Sequence, residues 1–202
     1  IYVFTELMSV CCQALRKLEK VTTVPDGTRI GIWGDGAMAY MMALTLSQLK
    51  PQCPLAVFGK HDDKLINFSF ADRRINIADR TDTTTIDVGF ECVGGAGSQT
   101  AISQAVQRLV PTGILILMGV SEIAPVIPTR LILEKGLTII GTSRSTKADF
   151  NSAISLISHQ EVKNSLLKIT SKTCRVHSSS ELIETFKMDN SVSYKTIIIG
   201  EF

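Results

Sequence analysis

The chain has 202 residues, of which 45% are hydrophobic and 20% are charged, and its formal net charge is +2. This length suits one or two domains with a sizeable buried core, and this composition is ordinary for a globular protein. So weak a charge favours neither nucleic acid nor a membrane surface as a partner, and no apolar run approaches the roughly 20 residues of a membrane span.

Short apolar segments alternate with helical segments along the chain. The sequence predicts helices over 6–18, 37–49, 62–68, 98–109, 129–135, 150–159 and 178–188. It predicts strands over 29–33, 55–58, 75–77, 86–92, 114–118, 137–140 and 195–199. Ser98 is predicted to cap the start of its helix, Asp62 or Asp63 to cap theirs, and Gly136 to end the helix 129–135.

Strands that are apolar on both faces and separated by helices indicate a parallel sheet covered on both sides. Six such strands in succession predict an α/β fold, the Rossmann-type doubly wound parallel sheet, with the strand order 3-2-1-4-5-6. We expect a linking helix in 1–20, the sheet domain in 21–150 and a separate C-terminal segment in 151–202. In that last segment Ser178 and Glu181 have the spacing of a capping box.

The strongest local signal is the loop Gly34-x-Gly36-x-x-Ala39, which follows the first strand of the sheet and opens a helix. Gly34 allows a tight turn, Gly36 lets a pyrophosphate approach the backbone, and Ala39 is small enough for close helix–strand packing. The helix N-terminus offers the phosphates unpaired N–H groups and a partial positive charge. The pattern alone also fits a plain corner, but its place at the start of six strands predicts dinucleotide binding. The predicted cofactor-binding residues of this loop are Gly34, Asp35, Gly36, Ala37 and Met38.

The end of the second strand favours NADP over NAD. Enzymes that use NAD usually carry an acidic residue there, about 20 residues after the glycines, for the ribose 2′-hydroxyl. Here the strand ends in Gly59, Lys60 and His61, with no carboxylate at its tip. Gly59 leaves room, Lys60 and Lys64 are able to neutralise a 2′-phosphate, and His61 is a weaker candidate. The alternative is a solvated lysine on a loop.

Further nucleotide-facing residues are expected where the other strands of the sheet end. These are Cys92, Gly94 and Gly95 after the fourth strand, Gly119, Val120 and Ser121 after the fifth, and Thr142, Ser143 and Arg144 after the sixth. Each glycine fits a simple turn equally well, and a cofactor contact by Arg144 stays open. Arg130 opens a helix, which favours a structural role. Cys92 is better explained as a small packed residue than as a nucleophile, because no histidine lies near it in sequence.

The groups that polarise a carbonyl in dehydrogenases are absent from this sequence. Its five cysteines form no C-x-x-C pair, which favours free thiols in a reducing compartment. Its three histidines show no zinc-binding spacing, and no Tyr-x-x-x-Lys pair is present. The first residue is Ile1 rather than Met, and no signal peptide follows it. We therefore expect a cytoplasmic chain, cut by proteolysis or by design, whose catalytic residues lie elsewhere and are unknown.

Five stretches of the sequence carry a family resemblance. They are Gly31–Gly36, Phe58–Leu65 with Phe68–Phe70, Phe90–Ser98, Met118–Glu122, and Thr129–Leu137 continuing to Gly141–Ser145, the last being the most specific. On these stretches the chain resembles the medium-chain, zinc-dependent alcohol dehydrogenase superfamily. Within it, the chain is most similar to the ribulose-5-phosphate reductases (ribitol-5-phosphate dehydrogenases) that serve CDP-ribitol pathways for teichoic acids and capsules. The likeness covers nearly the whole chain.

The resemblance implies hydride transfer from NADPH to the ketone of D-ribulose 5-phosphate, with zinc as the Lewis acid. It implies that a zinc-bearing catalytic domain is missing here, that 151–202 returns to that domain, and that the fragment alone is inactive. It also implies a role for Glu6 at the metal, as a ligand or as a partner of the metal-bound water. A glutamate favoured by the helix dipole is the alternative for Glu6.

The resemblance also implies partners. It predicts a homodimer through the sixth strand, 137–140, since an uncovered apolar edge strand favours pairing. A cytidylyltransferase of the same pathway is a further expected partner. Two other functions stay open: a different zinc-type polyol or alcohol dehydrogenase, and a non-catalytic NAD(P)-binding module.

Overall fold

The computed structural model describes residues 2–189 and 194–201. Its α-helices are α1 (Thr5–Val21), α2 (Ala37–Leu49), α3 (Asp62–Leu65), α4 (Ser98–Arg108), α5 (Thr129–Lys135), α6 (Lys147–Ser158), α7 (Gln160–Lys168) and α8 (Ser179–Asp189). Its strands are β1 (Ile30–Trp33), β2 (Leu55–Gly59), β3 (Arg73–Asn76), β4 (Ile86–Glu91), β5 (Leu109–Leu117), β6 (Thr138–Gly141), β7 (Thr170–Val176) and β8 (Lys195–Gly200).

The first six strands form one parallel sheet in the order β3-β2-β1-β4-β5-β6. The predicted doubly wound fold and its strand order are therefore confirmed. β1 pairs with β2 on one side and with β4 on the other, so the winding direction reverses between β1 and β4. In such sheets a crevice opens at this reversal, outside the carboxyl ends of the strands.

Alternate residues of the central strands serve two separate hydrophobic cores, because successive side chains of a strand point to opposite faces. In β1, Ile30 and Ile32 join the core that α1, α2, α6 and α7 cover. Trp33 joins the opposite core, which α4 and α5 cover. All residues of β1 and β2 are buried, which explains their unbroken apolar sequences.

The structure corrects three local predictions. Ser98 is not the N-cap of α4, because a short 3₁₀ turn brings Gly97 into helical conformation and Ser98 is already the first helical residue. His61 is the N-cap of α3, and Asp62 and Asp63 lie in its first turn. The helix predicted to reach Phe68 ends at Leu65, because the next hydrogen bonds tighten to i→i+3 turns.

The C-terminal part contains a helix that the sequence did not predict, α7, and a separate parallel pair formed by β7 and β8. Buried residues of α6 and α7, among them Leu156, Ile157 and Leu166, extend the core beside α1. The predicted boundary at 150/151 falls inside α6. At the start of α8, half of the predicted capping box is present, because the Ser178 hydroxyl accepts a hydrogen bond from the Glu181 N–H at 3.3 Å. The Glu181 carboxylate accepts from the His177 N–H at 2.8 Å, one residue earlier than the box requires. None of the described helices is long and apolar enough to cross a bilayer.

Candidate functional site

An open cleft of about 430 Å³ lies at the carboxyl ends of β1, β2 and β4. Its lining residues are Trp33, Gly34, Asp35, Gly36, Phe58, Gly59, Lys60, His61, Ile77, Cys92, Val93, Gly97, Thr100, Ala101 and Gln104. A second cleft of about 400 Å³ shares Phe58, Ile77 and Gln104 with it. The second cleft extends along the connection between β3 and β4 and the end of α4. The first cleft lies at the topological reversal, where a ligand is expected.

The glycine loop forms one wall of this cleft. Gly34 has φ +125°, a conformation that side chains rarely adopt, and its N–H donates to the carbonyl of Phe58 at 2.8 Å. A Cβ at Gly34 would lie 3.2 Å from the Cβ of the fully buried Ala39. A Cβ at Gly36, the N-cap of α2, would meet nothing within 4 Å. The first turn of α2, with Ala37 and Met38, therefore presents its free N–H groups beneath an open space.

The Asp35 carboxylate binds the backbone that follows β2. Its Oδ2 atom accepts hydrogen bonds from the backbone N–H groups of Lys60 at 2.7 Å and His61 at 2.8 Å, and lies 2.9 Å from Nδ1 of His61. Burial by itself raises the pKa of Asp35, but these hydrogen bonds outweigh it and hold the pKa below its usual value. The carboxylate is thus ionised at neutral pH and fixes the backbone that carries the Lys60 side chain.

The two lysines predicted for a 2′-phosphate differ in position. Lys60 is exposed and lines the cleft. Lys64 lies in α3, is half-buried and is not among the lining residues, while its carbonyl accepts a hydrogen bond from the Tyr194 hydroxyl at 3.2 Å. Of the two predicted lysines, Lys60 lines the cleft and Lys64 does not.

An aromatic stack, which the sequence did not predict, supports the cleft. The rings of Trp33 and Phe58 stack with centroids 4.4 Å apart and planes 10° apart. The Arg108 guanidinium lies 4.8 Å from the centroid of the Phe58 ring. Within the described residues, Nε1 of the buried Trp33 has no hydrogen-bond partner. The Trp33–Phe58 stack therefore packs the end of β1 against the end of β2.

Cys92 is a packed residue in this structure. Its Sγ atom lies 3.8 Å from Sδ of Met118, and burial raises the pKa of its thiol well above the usual value. The protonated thiol is a poor nucleophile. Cys92 therefore contributes shape rather than reactivity to the cleft.

The turns after β4 and β5 contact each other closely. Gly94 has φ +66°, and a Cβ there would lie 2.8 Å from the carbonyl oxygen of Val120. A Cβ at Gly119 would collide with the Gly94 nitrogen and lie 2.6 Å from both carboxylate oxygens of Glu91. These glycines permit two turns to pack against each other. Val120 itself is 86% exposed, on the rim of a separate cleft.

The residues after β6 lie away from the main cleft lining. Ser143 and Arg144 are exposed, and their carbonyls accept hydrogen bonds from Nε2 of Gln13 in α1. Arg144 has φ +65°, which is uncommon for a residue with a side chain. Arg130 pairs with Glu134 at 2.8 Å on the outer surface of α5, in agreement with a structural role.

The described residues do not by themselves assemble a metal site, and the role predicted for Glu6 stays a prediction. Over residues 2–189 and 194–201, no group of three or more His, Cys, Asp or Glu side chains is arranged to hold a metal ion. Glu6 is exposed in the first turn of α1 and would supply at most one ligand. The described part of this chain does not by itself fit a zinc ion.

The doubly wound sheet, the glycine loop and the open N-terminus of α2 define the chain as a dinucleotide-binding domain of the Rossmann class. No protein-family profile matches the chain. Ribulose-5-phosphate reductase 2 of Staphylococcus aureus is 40% identical to it over 197 residues, which cover 96% of this chain and 58% of that protein. The ribulose-5-phosphate reductase of Bacillus spizizenii is 37% identical over 200 residues, covering 98% and 58%.

A solved structure also resembles this chain in fold and in sequence. The crystal structure of Staphylococcus aureus TarJ in complex with NADPH matches with a TM-score of 0.93 and 39% identity, covering 98% of this chain and 63% of that one. The predicted resemblance to ribulose-5-phosphate reductases is therefore confirmed. The chain spans about 58% of the length of the curated relatives that it matches.

Proposed function

We propose that this chain is the NADPH-binding part of a zinc-dependent reductase that converts D-ribulose 5-phosphate into D-ribitol 5-phosphate. The observation that carries the proposal is 40% identity, over 96% of the chain, to a Staphylococcus aureus protein named for this activity. The NADPH-bound structure with a TM-score of 0.93 supports the choice of cofactor. The CDP-ribitol pathways of teichoic acids and capsules, in the cytoplasm, are the setting that we propose.

In this proposal the glycine loop and the first turn of α2 bind the pyrophosphate. The open space above Gly36 leaves room for phosphate oxygens at the free N–H groups. Lys60 pairs with the 2′-phosphate at the tip of β2, on a backbone that Asp35 fixes. Lys64 acts as a more distant second cation. The residues that end β2, Phe58 and Gly59, carry no carboxylate, and the Oδ2 atom of Asp35 already accepts hydrogen bonds from the N–H groups of Lys60 and His61. The usual acceptor for the 2′-hydroxyl of NADH is therefore not in its usual place.

The second half of the sheet binds the nicotinamide nucleotide. We assign this contact to Cys92, Gly94, Gly119 and Val120, with Ser143 and Arg144 at the outer end of the site. When bound, the cofactor supplies the hydride that reduces the ketone. This chain orients the cofactor and keeps its reactive ring facing the substrate.

The described residues do not by themselves form a zinc site. We propose that Glu6 contributes one ligand or contacts the metal-bound water. The remaining ligands belong to the part of the relatives that this chain does not cover. The 202-residue chain alone is accordingly expected to bind NADPH without turnover.

We further propose a homodimer through β6. This strand has β5 as its one described neighbour in the sheet, and Ile139 on it is 36% exposed. A second copy pairing along β6 would cover this edge. A cytidylyltransferase of the same pathway would be a partner of the whole enzyme.

A titration with NADPH and NADH, followed by dihydronicotinamide fluorescence, tests the proposal. We expect tighter binding of NADPH, and a loss of about tenfold in NADPH affinity with Lys60→Ala, since a charge-assisted hydrogen bond is removed. Lys147→Ala, an exposed lysine of α6, is the matched control. Preference for NADH would overturn the cofactor assignment, and binding of neither would overturn the nucleotide site.

An activity assay with D-ribulose 5-phosphate separates this reductase from other polyol dehydrogenases. It requires a protein that includes the region by which the relatives exceed this chain. Reduction of other ketoses in preference to D-ribulose 5-phosphate would favour a different zinc-type dehydrogenase. Turnover by the 202-residue chain alone would contradict our placement of the catalytic groups.

A further inference from the structure

Glu91 is a fully buried carboxylate at the end of β4, in a strand that is otherwise almost entirely apolar. A charge in the core is costly unless hydrogen bonds compensate for its lost hydration. Here the compensation comes from the backbone. Oε1 accepts from the N–H groups of Val93 at 2.9 Å and Gly94 at 3.1 Å, and Oε2 accepts from the N–H of Gly119 at 3.2 Å.

These three N–H groups belong to two different turns. Val93 and Gly94 follow β4, whereas Gly119 follows β5. The turns are also joined by the Gly95 N–H, which donates to the Val120 carbonyl at 2.8 Å, and by the Ser121 hydroxyl, which donates to the Gly95 carbonyl at 2.9 Å. The Glu91 carboxylate binds backbone N–H groups of both turns and so connects them on their buried side.

The turns lie on the half of the sheet that is opposite to the glycine loop. In a doubly wound fold each half binds one nucleotide of the dinucleotide, and the tip of β2 belongs to the adenosine half. The turns after β4 and β5 therefore face the nicotinamide half. Their rigidity decides how well that ring is pre-positioned, because a loose turn must be ordered when the cofactor binds.

We propose that Glu91 is a positioning residue for the cofactor. Its buried carboxylate joins the turns after β4 and β5 into one rigid surface for the nicotinamide nucleotide. This inference rests on the proposed function, since it needs a dinucleotide in the cleft. Glu91 itself is fully buried and acts through the two turns rather than by touching the cofactor.

The chemistry of the junction requires a carboxylate rather than an amide. Glu91 presents acceptors to donors on both of its oxygens. A glutamine has one acceptor oxygen, so its NH₂ group would face an N–H donor in either orientation. Glu91→Gln therefore loses the side-chain bond to one of the two turns while keeping nearly the same shape, and the bond from the Gly119 N–H to the Glu91 main-chain carbonyl at 3.1 Å is retained.

The test compares two ligands on the same 202-residue chain. NADPH occupies both halves of the site, whereas adenosine 2′,5′-bisphosphate occupies the adenosine half alone. We expect Glu91→Gln to weaken NADPH binding by about tenfold and bisphosphate binding by less than about twofold. Glu161→Gln, an exposed glutamate of α7, is the charge-matched control and is expected to change neither.

The outcomes separate the inference from the function on which it rests. Equal weakening of both ligands, or no weakening of NADPH, would overturn the role of Glu91 and leave the nucleotide site intact. A wild-type chain that binds neither ligand would overturn both. If Glu91→Gln does not fold, Ser121→Ala removes an outer bond between the same two turns. It is expected to weaken NADPH by about threefold without affecting the bisphosphate, and equal effects on both ligands would again overturn the inference.

Discussion

The guanidinium of Arg16 in α1 binds the carboxylate of Asp149 in α6 through two parallel hydrogen bonds. Nε lies 2.7 Å from Oδ1, and Nη2 lies 2.8 Å from Oδ2. Asp149 also accepts bonds from the N–H and hydroxyl groups of Thr146, and so completes the capping box of α6. One buried carboxylate thus both starts a helix and docks it onto α1.

This ion pair predicts a loss of stability in acid. The Arg16 hydrogen bonds come first among the causes that lower the pKa of Asp149, to about 2. Because the folded-state pKa lies below the unfolded value, the stabilisation is complete above about pH 4 and disappears as the pH falls through about 2. We expect about 1 to 2 kcal/mol, allowing for the one-third exposure of Arg16. Urea unfolding across this pH range measures it, and an Asp149→Asn chain with the same acid dependence would contradict the assignment.

Asp149→Asn should destabilise the protein at neutral pH as well. The amide keeps the size of the side chain but loses the charge-assisted bidentate pair, for which we expect about 2 kcal/mol. Glu134→Gln is the matched control, because the Arg130–Glu134 pair lies on the open surface of α5. Such pairs contribute little. Similar losses in the two variants, measured by urea unfolding, would be inconsistent with this explanation.

The two glycines of the phosphate loop should respond differently to alanine. Gly34→Ala places a Cβ at φ +125° and 3.2 Å from Ala39, so it should lower the free energy of unfolding by about 1 to 3 kcal/mol. Gly36→Ala meets open space, so it should remain folded and weaken NADPH binding, because its methyl group occupies the space of the pyrophosphate. Thermal unfolding and cofactor titration of both variants measure this contrast, and unchanged NADPH binding by Gly36→Ala would remove the glycine loop from the cofactor site.

Asp35→Ala should weaken NADPH binding by about tenfold. The variant loses the bonds that fix the backbone of Lys60 and His61, so the loop must be ordered when the cofactor binds. Asp63→Ala, an exposed carboxylate of α3, is the control for the change in charge. Tighter NADPH binding by Asp35→Ala would show instead that the carboxylate repels the 2′-phosphate.

The cysteines should differ sharply in reactivity. Burial raises the pKa values of Cys11, Cys12, Cys53 and Cys92, that of Cys12 to about 11, whereas Cys174 is partly accessible on β7. Brief treatment of the native chain with iodoacetamide near neutral pH should label Cys174 and spare the other four. Mass spectrometry of the peptides identifies the sites, with the denatured chain as the control for complete labelling. Rapid labelling of Cys92 would contradict its place in the packed wall of the cleft.

The sequence was sufficient to predict the sheet, because its signal is distributed over many residues. Continuous apolar strands between helices indicate parallel pairing, and the glycine loop locates the first strand. The bounds of α2 and α5 match the prediction, since Gly36 and Gly136 mark the start of one helix and the end of the other. The turn at Gly97 was missed because three glycine and alanine residues carry little preference between turn and helix.

The supporting contacts of the candidate site could not be predicted in the same way. Asp35 binds backbone groups 25 and 26 residues away, and no local pattern encodes such a contact. Glu91 did carry a signal, because a carboxylate within an apolar strand must find buried partners. Which N–H groups those partners are depends on how two turns approach each other in space. Local preferences do not determine that arrangement.

The packing of α6 on α1 implies a delay in folding during the synthesis of this protein. Arg16 and Asp149 are 133 residues apart, so α1 leaves the ribosome long before α6. At roughly 5 to 20 residues per second, the part of α1 that α6 covers stays exposed for about 7 to 27 seconds. During that interval the apolar residues of α1 that α6 later covers are exposed, and chaperones have their greatest opportunity to bind them. The core on this face of the sheet is therefore complete only after α7, which ends at Lys168, has been made.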